Sequence, residues 1–514
     1  MASTADPSQE RAPQNAGSPY DSTADSDIIL RSVDLIDFYV LKAFLRYVSP
    51  FFKAMFNLPS TETNETVNGL PIIPVPETGG TLRLLLDYIY PNEGDPKLDD
   101  ITLFLNVAQA AQKYCMIVIE NRLRKQIVTS HLMDSESLRL YAVAVNLNWD
   151  DVALIAAQKA SQIPLDKLTH AKELKNIPGS AFYQFLEYKL RCDKSRTRDR
   201  ERLMALQKVS TRSDAQVLLV TSGTRNAQKP FDSTAKADII LRSKDLVDFF
   251  VLEDLVRVAS LSSPFPDIMD PLGTTIGKTE DGRPIINVVE DNEVLCHLLS
   301  LIYHASDDLD VKNCRLYTQV ALAARRRGMN VIERELRKQL AASPLLLEEP
   351  LRIYIIASAL GWDDVAKSAA LNVLSRPLED MTYMQEFDLI TGADLHRLVA
   401  FRFKCADAAC KVITSNSDFK TYGPGGWSYS SYSNLQHRGP TEQVFLKLRS
   451  GPRGSTVVGT YDLEDRELEN YRDRNLSSVS CLTLAKILKC RRAIENAVEA
   501  AVIEVRSFFL HVSP

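Results

Sequence analysis

Only a few residues in this sequence have the types and the spacing that site chemistry requires. The segment 273–279 reads GTTIGKT and resembles a phosphate-binding loop. Such a loop has four residues between its glycines, whereas this segment has three, and no run with strong strand character precedes it. We therefore interpret it as an irregular loop.

The tripeptide Trp-Asp-Asp occurs twice, at 149–151 and 362–364, and could form a paired-carboxylate site. We expect instead a packed Trp followed by an Asp that caps a helix, because an Asp at a helix N-terminus accepts backbone N–H bonds. The seven His are isolated, and the sequence contains no nucleophile elbow, HExxH or GxGxxG pattern. The sequence therefore predicts no enzyme, no cofactor and no metal site.

Composition argues against several other functions. The 61 Lys and Arg against 66 Asp and Glu give a net charge of −5, which does not suit a dedicated nucleic-acid binder. The basic run at 196–208 is interrupted by acidic residues and lacks stacking aromatics, so we interpret it as a solvated helix. Scattered Cys and the lack of a signal peptide or membrane span predict a protein of the cytoplasm, the nucleus or both.

A long internal repeat sets the elements that position these residues. Residues 27–41 (DIILRSVDLIDFYVL) and 238–252 (DIILRSKDLVDFFVL) are identical at twelve of fifteen positions, and 116–126 matches 329–339 at eight of eleven. The offset between copies is 211 residues at first and 213 from residue 329 onward. A unit of this length is a duplicated domain, because solenoid repeats have periods of about 20–50 residues.

The repeat divides the chain into a tail, two modules with extensions, a linker and a C-terminal region. The predicted segments are a disordered tail at 1–26, a first module at 27–130, its helical extension at 131–192, a charged helix and linker at 193–237, a diverged second module at 238–343, its extension at 344–410, and a Gly/Tyr loop with a helical region at 411–514. In each module, short β-branched runs predict a small sheet and apolar stripes predict amphipathic helices. The fold class is therefore α+β and mostly helical.

The modules resemble the BTB/POZ domain. The motifs that carry this resemblance are DIIL at 27–30, FYVLK at 38–42, SPFFKAMF at 49–56, LLDYIY at 85–90 and AQAAQKYCM at 108–116. Their wording, with the strand GLPIIPV and a stretch RSGPRGSTV at 449–457, is similar to BTB proteins of basidiomycete fungi. The second module departs from the pattern, since Glu253 stands in place of Lys42 and the second motif reads SPFPDIMD at 263–270.

The resemblance implies a non-enzymatic scaffold whose BTB modules bind other proteins. The implied partners are another BTB module, in a homodimer or in an intrachain pair, and a cullin or a corepressor, with no role for a membrane or nucleic acid. The expected partner surface comprises Asp27, Lys42, Arg46, Phe51, Phe52, Met55 and Phe56.

Two alternatives remain open. One is a substrate adaptor of a cullin ubiquitin ligase, although such adaptors carry a hydrophobic-x-Glu motif after the helix at 50–57, where only Glu62 or Glu65 is available. The other is a transcription-associated regulator without a DNA-binding domain of its own. The resemblance to some BTB repressors implies a charged pocket near the dimer interface, formed by Asp27 and Lys42. In the second copy, the two carboxylates of Asp238 and Glu253 are expected to repel each other where this ion pair would form.

Overall fold

The computed structural model of the protein describes most of both halves of the chain. The described residues are 12–58, 65–90, 96–168, 171–194, 224–259, 277–278, 282–304, 309–415, 447–456 and 492–505. They form two compact units, residues Met1–Ile177 and Pro178–Pro514. The fold is mixed α and β and mostly helical.

The first unit begins with a five-stranded sheet. Its strands are β1 (Gln14–Asn15), β2 (Ile28–Arg31), β3 (Ile36–Val40), β4 (Thr66–Val67) and β5 (Leu70–Pro74). Their order across the sheet is β1-β3-β2-β5-β4. β2 and β3 form an antiparallel hairpin, β5 runs parallel to β2, and β1 runs parallel to β3.

Apolar and charged contacts hold the hairpin together. Ile29 and Tyr39 are opposite each other in the register and pack with Ile72 of β5 in a buried cluster. On the same face of the hairpin, two residues further along, Arg31 donates two hydrogen bonds to the carboxylate of Asp37, at 2.7 and 2.9 Å. These specific side-chain contacts fix the register, because a one-residue slip would turn every side chain to the opposite face.

Eight helices follow the strands within the described part of the first unit. They are α1 (Lys42–Val48), α2 (Pro50–Met55), α3 (Gly79–Ile89), α4 (Ile101–Lys113), α5 (Ile117–Thr129), α6 (Leu132–Ser135), α7 (Ser137–Asn146) and α8 (Asp150–Ala160). The stripe of Leu82, Leu85, Leu86 and Ile89 is buried in α3, as its helical spacing predicts.

The second unit begins with α9 (Gly179–Lys194), the last helix of the first sequence repeat. A second sheet follows, with strands β6 (Arg225–Asn226), β7 (Ile239–Arg242), β8 (Val247–Val251), β9 (Gly277–Lys278) and β10 (Pro284–Asn287). Its order, β6-β8-β7-β10-β9, and its strand directions are those of the first sheet.

Within the described residues, the remaining α-helices of the second unit follow the order of the first, and the counterpart of α2 lies outside that part of the chain. They are α10 (Glu253–Ala259), α11 (Asn292–Ile302), α12 (Cys314–Arg326), α13 (Asn330–Ala342), α14 (Leu345–Glu348), α15 (Pro350–Ala359), α16 (Asp363–Val373) and α17 (Gly392–Ser415). A further helix at 492–505 packs on this unit, where Glu499 binds Arg453 at 2.9 Å and Arg453 donates to the Leu371 carbonyl.

Two boundaries predicted from the sequence are wrong. Residues 14–26, expected in a disordered tail, include β1 and the fully buried Tyr20, whose hydroxyl donates to Asp87 at 3.0 Å. Residues 225–237, expected in the linker, include β6 and the buried Phe231. Each segment is held by the backbone hydrogen bonds of a two-residue strand and by one buried ring. Such contacts leave no apolar periodicity in the sequence, so the segments could not be recognised as ordered.

The strand β5 holds an inner position although it contains two prolines. Prolines suit an edge strand better than the centre of a sheet, which predicts an edge strand at 71–75, but β5 lies between β2 and β4. Pro71 and Pro74 occupy positions where the ladder needs no donor, since the neighbouring Ile72 N–H bonds the Glu65 carbonyl and the Val75 N–H bonds the Arg31 carbonyl.

Candidate functional site

The first module presents its expected partner residues on α1, α2 and the turn after them. We call residues 42–58 the α1–α2 segment. Ser49 divides it, because the residue before a proline avoids helical geometry, and Ser49 has φ −132° and ψ 111°. The Ser49 hydroxyl accepts the Phe52 N–H at 3.1 Å and donates to the Tyr114 carbonyl at 2.6 Å, so one buried side chain caps α2 and anchors it to the end of α4.

The two charged residues at the start of this segment do not form a charged pocket in the way the resemblance implies. The exposed Asp27 carboxylate accepts the backbone N–H of Lys42 at 2.6 Å. In the second copy, Asp238 accepts the N–H of Glu253 at 2.7 Å, and the Glu253 carboxylate pairs with Arg257. The Asp thus binds a backbone donor in both copies, and the repulsion between Asp238 and Glu253 stays a prediction.

Arg46 stabilises the end of α2. Its guanidinium donates to the Phe56 carbonyl at 3.1 Å and lies over the Phe56 ring, with 5.6 Å between the guanidinium carbon and the ring centroid. Met55 and Phe56 are half-buried. These three residues shape the α1–α2 segment, and the head group of Arg46 is already engaged within it.

The two adjacent phenylalanines have different roles. Phe52 is only 2% exposed and packs against Phe56 and Tyr114, so its assignment to the partner surface is wrong. Phe51 is 43% exposed, although its ring contacts Tyr114 with 5.4 Å between centroids. Consecutive helical residues point in different directions, so one of the pair is in the core and the other faces solvent.

The most exposed apolar side chain of the segment was not predicted. Tyr47, on α1, is 90% exposed, and Leu58, after α2, is 70% exposed. The repeat places Val258 at the position of Tyr47, and it is 74% exposed. Both copies therefore carry an exposed apolar residue at this position.

A second anchor fixes the turn between α4 and α5 next to Phe51. The Tyr114 hydroxyl and the Lys113 ammonium both bind the carboxylate of Glu77. Burial, followed by the hydrogen bond to Glu77, raises the pKa of Tyr114 above its ordinary value. Ile117 and Val118 begin α5 immediately after this turn and are each 65% exposed. The first unit therefore has exposed apolar side chains both on the α1–α2 segment and at the start of α5. The buried Tyr114 lies between them, since its ring contacts Phe51 and it precedes α5 in the chain.

The other candidate sites have structural roles where the structure describes them. In the segment that resembles a phosphate-binding loop (273–279), Gly277 and Lys278 lie in β9, which pairs with β10. Residues 273–276 and 279 lie outside the described residues. Extended, paired backbone does not form the cradle that phosphate binding requires. The Pro266 segment, the basic run at 196–208, the Tyr/Trp loop at 422–434 and Glu62 also lie outside the described residues.

The Trp-Asp-Asp tripeptides join neighbouring helices. Trp149 is buried and donates from Nε1 to Glu120 at 2.6 Å, and Trp362 donates to Glu333 at 3.0 Å. The predicted Asp does not occupy the N-cap position, which the Trp takes in both copies. The second Asp of the first turn still accepts a backbone N–H, as Asp364 does from Val365 at 2.8 Å. Burial acts to raise the pKa of Asp151, but the hydrogen bond from Arg124 holds it below its usual value.

Among the described residues, no group of three His, Cys, Asp or Glu side chains could hold a metal ion. Nor is any helix in that part of the chain long and apolar enough to cross a membrane. Glu65, one of the two candidates for the cullin motif, forms an ion pair with Arg31 at 3.0 Å.

The comparison with protein families agrees with this geometry. Residues 18–131 match the family model of the BTB/POZ domain. The first unit therefore contains a BTB/POZ domain, a type of module that binds other proteins. No curated protein matches the chain.

Proposed function

We propose that this protein is a non-enzymatic scaffold that recruits protein partners through the α1–α2 segment of its BTB/POZ domain. The observation that carries the proposal is the exposure of Tyr47, Phe51 and Leu58 on a segment whose backbone is rigidly anchored by Ser49 and Arg46. Aromatic residues on a preorganised surface are typical of binding hot spots, because little conformational entropy is lost when they are covered.

We further propose that residues 225–343 form a second, diverged BTB module. Three features support this. The second sheet has the strand order of the first, the Arg242–Asp248 pair repeats Arg31–Asp37, and Leu252 donates to the Tyr303 hydroxyl as Leu41 does to Tyr90. Glu253 and Val258 in place of Lys42 and Tyr47 change the charge and size of its α1 counterpart, so we expect it to bind other partners than the first.

The proposed partners belong to classes that BTB domains commonly bind. These are a second BTB module, in a homodimer or in an intrachain pair, a cullin, and a corepressor. Engagement of Glu65 by Arg31 counts against the cullin adaptor, since the remaining candidate is Glu62 alone. A role as a transcription-associated regulator would require a corepressor. We also propose that the protein acts in the cytoplasm or the nucleus. The sequence resemblance described above leads us to propose a relationship to fungal BTB proteins.

The proposal is tested by comparing variants of the full chain that differ at one exposed position. Tyr47→Ser is the test and Val258→Ser, at the equivalent position of the second copy, is the matched control. Loss of a hot-spot aromatic costs about 2 kcal/mol or more of binding, which is about 30-fold in Kd. We expect Tyr47→Ser to weaken self-association or binding of a purified cullin N-terminal domain or corepressor fragment, measured by light scattering and by titration.

Each outcome distinguishes between the alternatives. A dimer that persists at low micromolar concentration and is lost in Tyr47→Ser supports the homodimer and rejects the intrachain pair. Binding to the cullin domain or to the corepressor fragment alone supports that partner class. Equal behaviour of wild type, Tyr47→Ser and Val258→Ser in every titration would reject the α1–α2 segment as the partner surface.

A further inference from the structure

The two halves of the chain meet at equivalent residues within the second unit. Pro178, which precedes α9, forms an isolated antiparallel bridge with Thr391, which precedes α17. The offset between these residues is 213, the offset of the sequence repeat, so each occupies the position of the other in its own copy. Pairing between equivalent positions is the signature of a two-fold interface.

Close backbone approach defines the start of this interface, which we call the α9–α17 seam (residues 178–194 with 377–405). The Gly179 N–H donates to the Ile390 carbonyl at 2.8 Å. A Cβ on Gly179 would lie 2.7 Å from the Phe387 carbonyl oxygen and 2.9 Å from Cγ1 of Ile390. Only glycine fits there without moving the backbone, so the two segments are specifically adapted to each other.

Aromatic side chains extend the seam along the two helices. The rings of Tyr183 and Phe387 stack with 4.9 Å between centroids, and the Tyr183 hydroxyl donates to the Met381 carbonyl at 3.2 Å. Phe182 meets His396 edge to face at 5.6 Å. Phe182 and Phe387 are fully buried and His396 is 5% exposed, so this surface resembles a protein core more than a transient contact.

Equivalent positions of the seam carry different residues in the two copies, unlike in a homodimer. Tyr183 and His396 are equivalent residues, as are Phe182 and Leu395, yet they differ in size and polarity. In a symmetric interface, each contact would have to be made twice by the same residue types. The side chains on each half therefore fit the other half of this chain better than they would fit a second copy of themselves.

We propose that the α9–α17 seam is an internal dimer interface, in which the second half of the chain holds α9 of the first half without needing the covalent linker. The covalent connection through residues 195–223 then only raises the effective concentration of one half near the other. The seam is occupied within each molecule and is closed to a second copy. This inference stands independently of the partner bound by the α1–α2 segment.

Cleavage of the linker in the folded protein tests the proposal. A specific protease site is placed between residues 196 and 222 of the full chain, which is purified intact and then cut. We expect the two fragments to stay together in native mass spectrometry and gel filtration, at the mass of the uncut protein. Separation of the fragments at low micromolar concentration would overturn the proposal.

A pair of glycine variants shows whether the seam itself holds the fragments. Gly179→Ala places a methyl group against the Phe387 carbonyl, whereas a Cβ on Gly80 meets no atom within 4 Å. We expect the cut Gly179→Ala protein to dissociate about tenfold faster or more, in line with the cost of overfilling a packed site, and the cut Gly80→Ala protein to behave as wild type. Circular dichroism of the uncut variants checks that both are folded.

A second substitution keeps the test decisive if the structure adjusts to the methyl group of Gly179→Ala. Phe182→Ala removes a fully buried ring from the seam and is expected to accelerate dissociation as well. If neither Gly179→Ala nor Phe182→Ala changes the dissociation of the cut fragments, other contacts hold them together and the proposal is wrong.

Discussion

Ser49 offers the sharpest test of how the α1–α2 segment is positioned. Replacing it with Ala removes the cap of α2, where the hydroxyl accepts the Phe52 N–H, and removes the bond to the Tyr114 carbonyl. An N-cap contributes about 1 kcal/mol, and a buried neutral hydrogen bond about the same. We therefore expect α2 to be destabilised by about 2 kcal/mol, which is about 30-fold in its opening equilibrium.

Hydrogen–deuterium exchange of the full chain measures this change locally, and so avoids the assumption that two units unfold in one step. The amide hydrogens of Phe52 and Lys53 form the first turn of α2, since the Phe52 N–H bonds the Ser49 hydroxyl and the Lys53 N–H bonds the Ser49 carbonyl. Peptides that contain these two residues should therefore exchange about 30-fold faster in Ser49→Ala. Ser135→Ala is the control, since the Ser135 hydroxyl bonds the His131 carbonyl at an exposed position.

The result that would refute the reasoning is specific. If exchange at Phe52 and Lys53 rises less than about threefold in Ser49→Ala, Ser49 contributes under about 0.7 kcal/mol and does not position the segment. If Ser135→Ala has an equal effect on the same peptides, the change is not local to α2.

Three further predictions follow from buried contacts that both halves share. Trp149→Phe loses the indole hydrogen bond to Glu120, and Trp362→Phe loses the one to Glu333. Urea unfolding should show that each substitution lowers the free energy of unfolding of its own unit by about 1.5–3 kcal/mol. Glu173 binds Arg139 through two hydrogen bonds, at 2.6 and 2.9 Å; burial acts to raise its pKa, but Arg139 holds it below the usual value. A depressed folded-state pKa contributes stability above the unfolded-state value that is lost as pH falls, so the stability deficit of Arg139→Met should be largest at pH 7 and shrink below about pH 4.5; a deficit that is constant with pH would contradict this. Burial raises the pKa of the Cys405 thiol to about 12, so Cys405 should resist alkylation at neutral pH while the exposed Cys115 reacts, as peptide mass spectrometry would show.

Local pattern predicted the elements that depend on local physics. The hairpin of β2 and β3 follows from two short β-branched and aromatic runs. The break before Pro50 follows from proline geometry, and the buried stripe of α3 from helical spacing. β1 and β6 could not be predicted in this way, because strands of two residues have no periodicity. The repeat could have revealed them, since residues 14–26 and 225–237 are identical at seven of thirteen positions.

The sequence motifs locate the α1–α2 segment but do not give the orientation of its side chains. The motif at 49–56 placed Phe51 and Phe52 together, but a motif does not say which of two neighbouring helical residues faces the core. Asp27 and Lys42 were correctly placed side by side, yet the bond between them uses the backbone N–H of Lys42. Tyr47 was missed because exposure depends on what α1 packs against, which single-sequence patterns do not determine.

Photo-crosslinking from position 47 tests the central claim most directly. A benzophenone amino acid replaces Tyr47 in the full chain, and the control carries it at the exposed Lys125 of α5. The purified protein is irradiated alone, and then with a cullin N-terminal domain or a corepressor fragment. We predict adducts from position 47 to a second copy, to the second half of the chain or to one added partner, and none from position 125. Equal adducts from both positions, or none from position 47 with any of them, would contradict the proposal that the α1–α2 segment binds protein.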